Sequence, residues 1–225
     1  MPFGATPDTM AGAGYTHVVA TCDARPLYPL TQREQREYEA LAHAARRRDW
    51  IAGRYAAKRA ISIRRNVAPD AIELASAPGA APRAFVRTRA DSWAPLPDRL
   101  TIAHRDGIAI AAAFPFGAAV GVDIERAGEV SALELGYIAS EPERTRLRGI
   151  DPTLIWILKE AAWKALGLPS ATPLSALQLL FGSGSDELVA VRHGTREQNA
   201  RAAIRRLDAA FPLIVALVEI ATEVS

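Results

Sequence analysis

Two pairs of charged residues carry the chemistry this sequence offers. Asp123 and Glu125 close the apolar run AAVGVDIE. Alternate residues of a strand point to one face, so both carboxylates project from the same side. Glu160 and Lys164, in WILKEAAWK, stand four apart. That spacing makes acid and ammonium neighbours on a helical stripe shared with Trp156 and Gly167. Each pair alone has a plain reading, a surface ion pair worth about 0.3 kcal/mol and a polar strand end. Together, three carboxylates and a lysine flanked by aromatic and apolar residues form a donor set for Mg²⁺, which takes carboxylate oxygens with phosphate and water.

The basic residues single out the same segment. Lysine occurs only at Lys58, Lys159 and Lys164, leaving 24 of 27 basic residues as arginine. In so arginine-biased a chain, a retained lysine points to a need for a compact, flexible ammonium in place of a planar fork.

The rest of the composition bounds the setting. The chain has 225 residues, 49% hydrophobic and 23% charged, with net charge +2. This suits one large or two small globular domains and gives no chain-wide case for nucleic acid. Four histidines and the single Cys22 form no CxxC or HExxH spacing, which leaves no disulfide pair and no zinc motif. No run approaches the roughly 20 apolar residues of a membrane span, and MPFGATPDTMAGAG lacks the order of a secretory signal. The expectation is a soluble cytoplasmic protein. There is no GxxxxGK[ST] loop and no GxSxG elbow, and GSGS at residues 182 to 185 lacks the following lysine.

The elements that must position these residues read as follows. Residues 1–14 form a flexible leader, and Thr16 to Cys22 a first strand. Thr31-Gln-Arg-Glu34 is a capping box opening a helix through Tyr38, Leu41 and Ala45, with a break near Asp49 or Gly53 and a second helix from Tyr55 to Ile63. Residues 72–98 read as loops with strand-like pieces around IEL and AFV. LTIAHRDGIAIAAAF is a hairpin turning at Asp106-Gly107. AAVGVDIE is a further strand, followed by a helical region over residues 131–168 broken between Gly149 and Pro152. LQLLF, ELVAVRH and FPLIVALVEIA, with a GSGSD turn, complete a second β-rich unit. Strand, helices and strands thus occur twice without a residue-level repeat, which suggests halves at residues 15–118 and 119–225.

AVGVDIE, followed thirty residues later by WILKEAAWK, resembles the paired signature of the Sfp-type 4'-phosphopantetheinyl transferases. That family carries a (V/I)G(V/I)D(I/L)E strand end and a (W/F)xxKE(A/S)xxK helix. His104 in TIAHRDG resembles the histidine element before the family's hairpin, and AGRYAAKRAI its GRxxxR helix. Ala103 and Arg105 stand where many members have serine. The resemblance implies an α/β (α+β) fold of two similar halves related by a pseudo-twofold, with coenzyme A and Mg²⁺ in the cleft between them, working as a monomer. The implied reaction moves the phosphopantetheine arm of coenzyme A onto a serine of an acyl or peptidyl carrier protein and releases 3',5'-ADP.

By the same resemblance, Asp123, Glu125 and Glu160 would ligate Mg²⁺ against the pyrophosphate. Glu160 would be the general base and Lys164 would contact the pyrophosphate and the departing phosphate. His104 would touch the coenzyme A phosphates, Arg46 and Arg54 the 3'-phosphate, and Arg83 the neighbourhood of the adenine. Trp163 would pack against the other half. The carrier would meet basic and apolar residues within 131–150 and the basic helix. Two other readings stand beside this one: ARRRDWIAGRYAAKR as a nucleic-acid-binding basic helix, and a non-catalytic relative that only holds carrier proteins.

Overall fold

The computed structural model describes residues 16–21, 27–76, 81–182, 187–208 and 212–221, with the backbone alone described for 16–21 and 208. The expected leader, Cys22 and most of the GSGSD turn lie outside the described residues. The chain divides into two compact units, Met1–Phe116 and Gly117–Ser225. Every described strand pair is antiparallel, and helices and sheets share each unit, so the class is α+β.

In the first unit, strand β1 (Thr16–Thr21) is followed by helices α1 (Gln32–Glu39) and α2 (Ala44–Arg65). The capping box opens α1: Glu34 N donates to Thr31 Oγ1 at 3.3 Å and Thr31 N to Glu34 Oε2 at 3.0 Å. The expected break at Asp49 or Gly53 is absent. The helices separate earlier, at residues 40–43, and α2 runs unbroken through both positions. Long-range contacts explain why these residues do not end a helix. The Asp49 carboxylate accepts from Gly107 N at 2.6 Å, and a Cβ on Gly53 would come within 3.2 Å of Ile102. Glycine there serves close packing against Ile102, at a cost of about 1 kcal/mol in a helix.

The described residues between 72 and 95 hold more strand than expected. Strands β2 (Ile72–Ala75), β3 (Arg83–Arg87) and β4 (Trp93–Pro95) form a small sheet in that order. The hairpin of β5 (Arg99–Arg105) and β6 (Ile108–Phe114) turns through Asp106 and Gly107, both at positive φ (55° and 78°), the two-residue form an Asp-Gly pair favours. Alanines of α2 (Ala52, Ala56, Ala60) and β6 (Ala109, Ala111, Ala113) fill the core between them, small enough for helix and sheet to approach closely.

The second unit runs through β7 (Ala119–Arg126), α3 (Ala132–Ile138), α4 (Glu141–Arg146), α5 (Pro152–Leu166), β8 (Leu177–Phe181), β9 (Leu188–His193), β10 (Arg196–Asp208) and β11 (Pro212–Ile220). The sheet order is β7-β11-β10-β9-β8. Strand β10 has no signal in its own residues: REQNARAAIRRLD is rich in helix formers and lacks apolar alternation. It is a strand because Ala200–Asp208 pairs with β11 and Arg196–Asn199 with β9. Helix α5 starts on Pro152 with the Asp151 side chain accepting from Thr153 N at 2.9 Å, and ends at Gly167 with φ of 62°.

The two units share a pairing order. The first strand lies against the last, the last against its predecessor, and the long helix covers that group: α2 on β1, β6 and β5; α5 on β7 and β11. Among the described residues, no helix is long and apolar enough to cross a membrane.

Candidate active site

Gly121 decides how closely α5 approaches β7. A Cβ at this position would fall on the carbonyl oxygen of Ala161 and lie 2.7 Å from the amide nitrogen of Ala165, both backbone atoms that cannot move aside. Only glycine lets the two backbones touch here.

This contact brings the charged residues together. Lys164 Nζ donates to Asp123 Oδ1 at 2.7 Å and to Val122 O at 3.1 Å. Its direct ionic partner is thus the strand carboxylate and not Glu160 four residues along, which replaces the plain surface-pair reading. Asp123 is only 7% exposed. Glu160 is half-buried, and burial raises its carboxyl above the ordinary glutamate range. Lys164 opposes that shift and the Asp123 charge adds to it, so Glu160 lies within electrostatic reach of both.

The fit to a divalent cation can be judged from the oxygens. Asp123 Oδ2 and Glu125 Oε2 are buried and accept no hydrogen bond, although both residues have other interactions. Buried carboxylate oxygens on one strand face, with Glu160 nearby, have the hard-donor chemistry that suits Mg²⁺. Among the described residues, no three His, Cys, Asp or Glu side chains are already gathered round one point. The donor chemistry fits, and the closed geometry is not preformed.

The other expected site residues belong to the first unit. His104 is exposed, with Nδ1 3.8 Å from Asp49 Oδ2, while the other Asp49 oxygen pins the hairpin turn through Gly107 N. Asp49 is thereby a residue the sequence reading missed; as a supposed helix breaker it showed no sign of a partner 58 residues away. Arg54 is 5% exposed, paired with Glu37, bonded to Ser76 Oγ at 3.2 Å and stacked over Trp50 at 4.6 Å. Its two terminal nitrogens are engaged by Ser76 and Glu37, while Nε is buried without a hydrogen-bond partner. Arg46 is exposed in the first turn of α2, and Arg83 is exposed at the start of β3.

No protein-family model matches this chain, and no curated protein matches it. Function is therefore argued from the residues themselves.

Two further placements bear on that argument. Trp163 packs on the core of its own unit and donates to Thr172 O at 3.2 Å, and Trp156 packs on the same core. In the basic helix, Arg54 and Lys58 are paired with Glu37 and Glu34, and Arg64 and Arg65 with Asp98, while Arg46 and Arg48 are exposed.

Proposed function

We propose that this protein transfers 4'-phosphopantetheine from coenzyme A to a serine of an apo carrier protein, releasing 3',5'-ADP, as a cytoplasmic monomer. The observation that supports it most is the meeting of Asp123 and Lys164 across β7 and α5, with the Glu160 carboxyl in electrostatic reach. The fold would be the family's two similar halves, and the shared pairing order of the two units supports that reading.

In the proposed reaction, the serine oxygen attacks the pyrophosphate phosphorus bearing the pantetheine arm, and the bond from that phosphorus to the bridging oxygen of the ADP moiety breaks. Glu160 takes the serine proton; burial raises its affinity for protons, the direction that favours a base. Lys164 donates to the pyrophosphate and to the departing phosphate, where a preformed cation is most effective. Asp123, Glu125 and Glu160 would hold Mg²⁺, which when bound neutralises pyrophosphate charge. His104 and Arg46 are exposed and able to meet coenzyme A phosphates. Arg54 would have to exchange Glu37 for phosphate, and Arg83 would lie near the adenine.

The carrier partner is supported by a surface on α3. Leu133 and Tyr137, one turn apart, are 74% and 75% exposed, and Arg144 approaches the same helix at Gly136. Arg146 and Arg148 are also exposed. Apolar anchors beside arginines suit an acidic carrier helix.

The test is intact-mass spectrometry of an apo carrier protein incubated with the protein, coenzyme A and Mg²⁺, with and without chelator. A chelator-sensitive gain of one phosphopantetheine on the carrier serine is expected. Coenzyme A binding without any gain across several carriers would leave the non-catalytic, carrier-holding reading.

A further inference from the structure

Of the two lysines that the proposed chemistry leaves unused, Lys159 is the more deeply buried. It is 0% exposed. An ammonium has three protons, and Lys159 Nζ meets three acceptors at short range: Leu177 O at 2.6 Å, Ile138 O at 2.7 Å and Glu143 Oε2 at 2.8 Å, with Leu174 O further off at 3.4 Å. These acceptors belong to the end of α3, to α4, and to the start of β8 with the turn before it. One atom of α5 thus ties together three neighbouring segments. Burying a charge costs several kcal/mol unless its hydrogen bonds are all made, and here they are. The partner is equally engaged, since Glu143 Oε1 accepts from Leu179 N at 3.1 Å.

The first unit contains the same arrangement. Lys58, in the middle of α2 and 2% exposed, donates to Glu34 Oε2 at 2.7 Å, and Glu34 Oε1 accepts from Leu74 N at 3.0 Å. In both units, a first-turn glutamate of a short helix binds a lysine of the long helix and a leucine amide of the strand that follows. The residues one and five positions after Lys159 are Glu160 and Lys164; those after Lys58 are Arg59 and Ile63. A shared anchoring device carries the acid and ammonium in the second unit only.

We infer that Lys159, clamped by Glu143, is a positioning residue: it fixes the rotation of α5 on β7 and so holds Glu160 and Lys164 against Asp123. A side chain about 6 Å from a helix axis moves about 2 Å when the helix turns by about 20°. That is enough to break the 2.7 Å contact of Lys164 with Asp123. The kinetic consequence rests on the transferase reading, whereas the structural one does not.

The test uses the variant Lys159→Met/Glu143→Leu, which removes both charges together, and Glu143→Gln, which keeps an acceptor oxygen. In the parent and in each variant, Asp123→Asn and Lys164→Met are added singly and together. Urea denaturation then gives the coupling between Asp123 and Lys164. The coupling is expected to fall below about half of the parent value in the double variant and by a smaller amount in Glu143→Gln. For transfer, kcat is expected to fall about tenfold to a hundredfold, with KM for coenzyme A changing less than about twofold. A folded variant that keeps the parent coupling, however much stability it loses, overturns the inference and leaves Lys159 a structural residue only. If the double variant does not fold, Glu143→Gln decides by the same coupling. Failure of the parent protein to transfer anything counts against the proposed reaction, and the coupling still judges the positioning.

Discussion

Lys164 clips two successive residues of β7, donating from one nitrogen to the Val122 carbonyl at 3.1 Å and to the Asp123 carboxylate at 2.7 Å. The lysine side chain is 24% exposed and the aspartate side chain 10%. Water reaches the lysine more readily than the acid, so the pair is open to a phosphate on the lysine side.

Lys164→Ala is expected to abolish transfer. It also leaves a nearly buried carboxylate without its cation, at a cost of about 2 kcal/mol after allowing for partial exposure. Adding Asp123→Asn should recover most of that stability and none of the activity. Urea denaturation alongside the mass assay checks both, and transfer by Lys164→Ala at wild-type rate would remove Lys164 from the chemistry.

Glu160→Gln separates chemistry from stability in opposite directions. Loss of the base should lower kcat by about a thousandfold. The folded-state pKa of Glu160 is raised by burial, so between its unfolded and folded values the native state holds more protons than the unfolded state, and wild-type stability falls as pH rises through that window. Glutamine has no such penalty. Tm of the variant should match wild type below the carboxylate range, at about pH 3, and exceed it at about pH 7. Equal Tm values at both pH values would contradict the buried-carboxylate environment.

Two glycines predict opposite severities. Gly121→Ala drives a methyl into the backbone of α5 and should cost about 3 kcal/mol or more. Gly53→Ala meets the Ile102 side chain at 3.2 Å, and its gain of about 1 kcal/mol in helix propensity offsets the crowding. Chemical denaturation of the two variants should therefore differ by at least about 2 kcal/mol.

Glu125→Gln tests the cation directly. If its buried oxygen joins the metal set, half-saturation by Mg²⁺ in the transfer assay should rise about tenfold or more, with unchanged KM for the carrier. An unaltered Mg²⁺ dependence would take Glu125 out of the set.

Replacing Leu133 and Tyr137 by serine should raise KM for the carrier about tenfold and leave KM for coenzyme A alone. A uniform loss in both would point to damage of the fold, which circular dichroism would reveal.

What could be read in the sequence is what short-range chemistry encodes. The Thr31–Glu34 box and the Asp106-Gly107 turn each depend on a few neighbouring residues, and each is found where its residues place it. Asp49 was misread because its partner, the Gly107 amide, is remote in sequence. Strand β10 was not legible because its conformation comes from its neighbours and not from its own residues. The grip on Lys159 is mostly by carbonyl oxygens, which every residue has, so no side-chain pattern announces it. The correspondence between Lys58 and Lys159 was hidden for the same reason: what repeats is a hydrogen-bond arrangement, not a string of letters.

The scarcity of lysine has a practical side. All three side-chain amines are held in ion pairs, and two of them are sealed from solvent. Among side-chain amines, an acylating reagent added to the native protein meets only the partly exposed Lys164. Modification of Lys58 or Lys159 would record the moment at which the unit containing it opens. Because one buried amine sits in each unit, peptide mapping after timed acylation would clock the breathing of the two units independently.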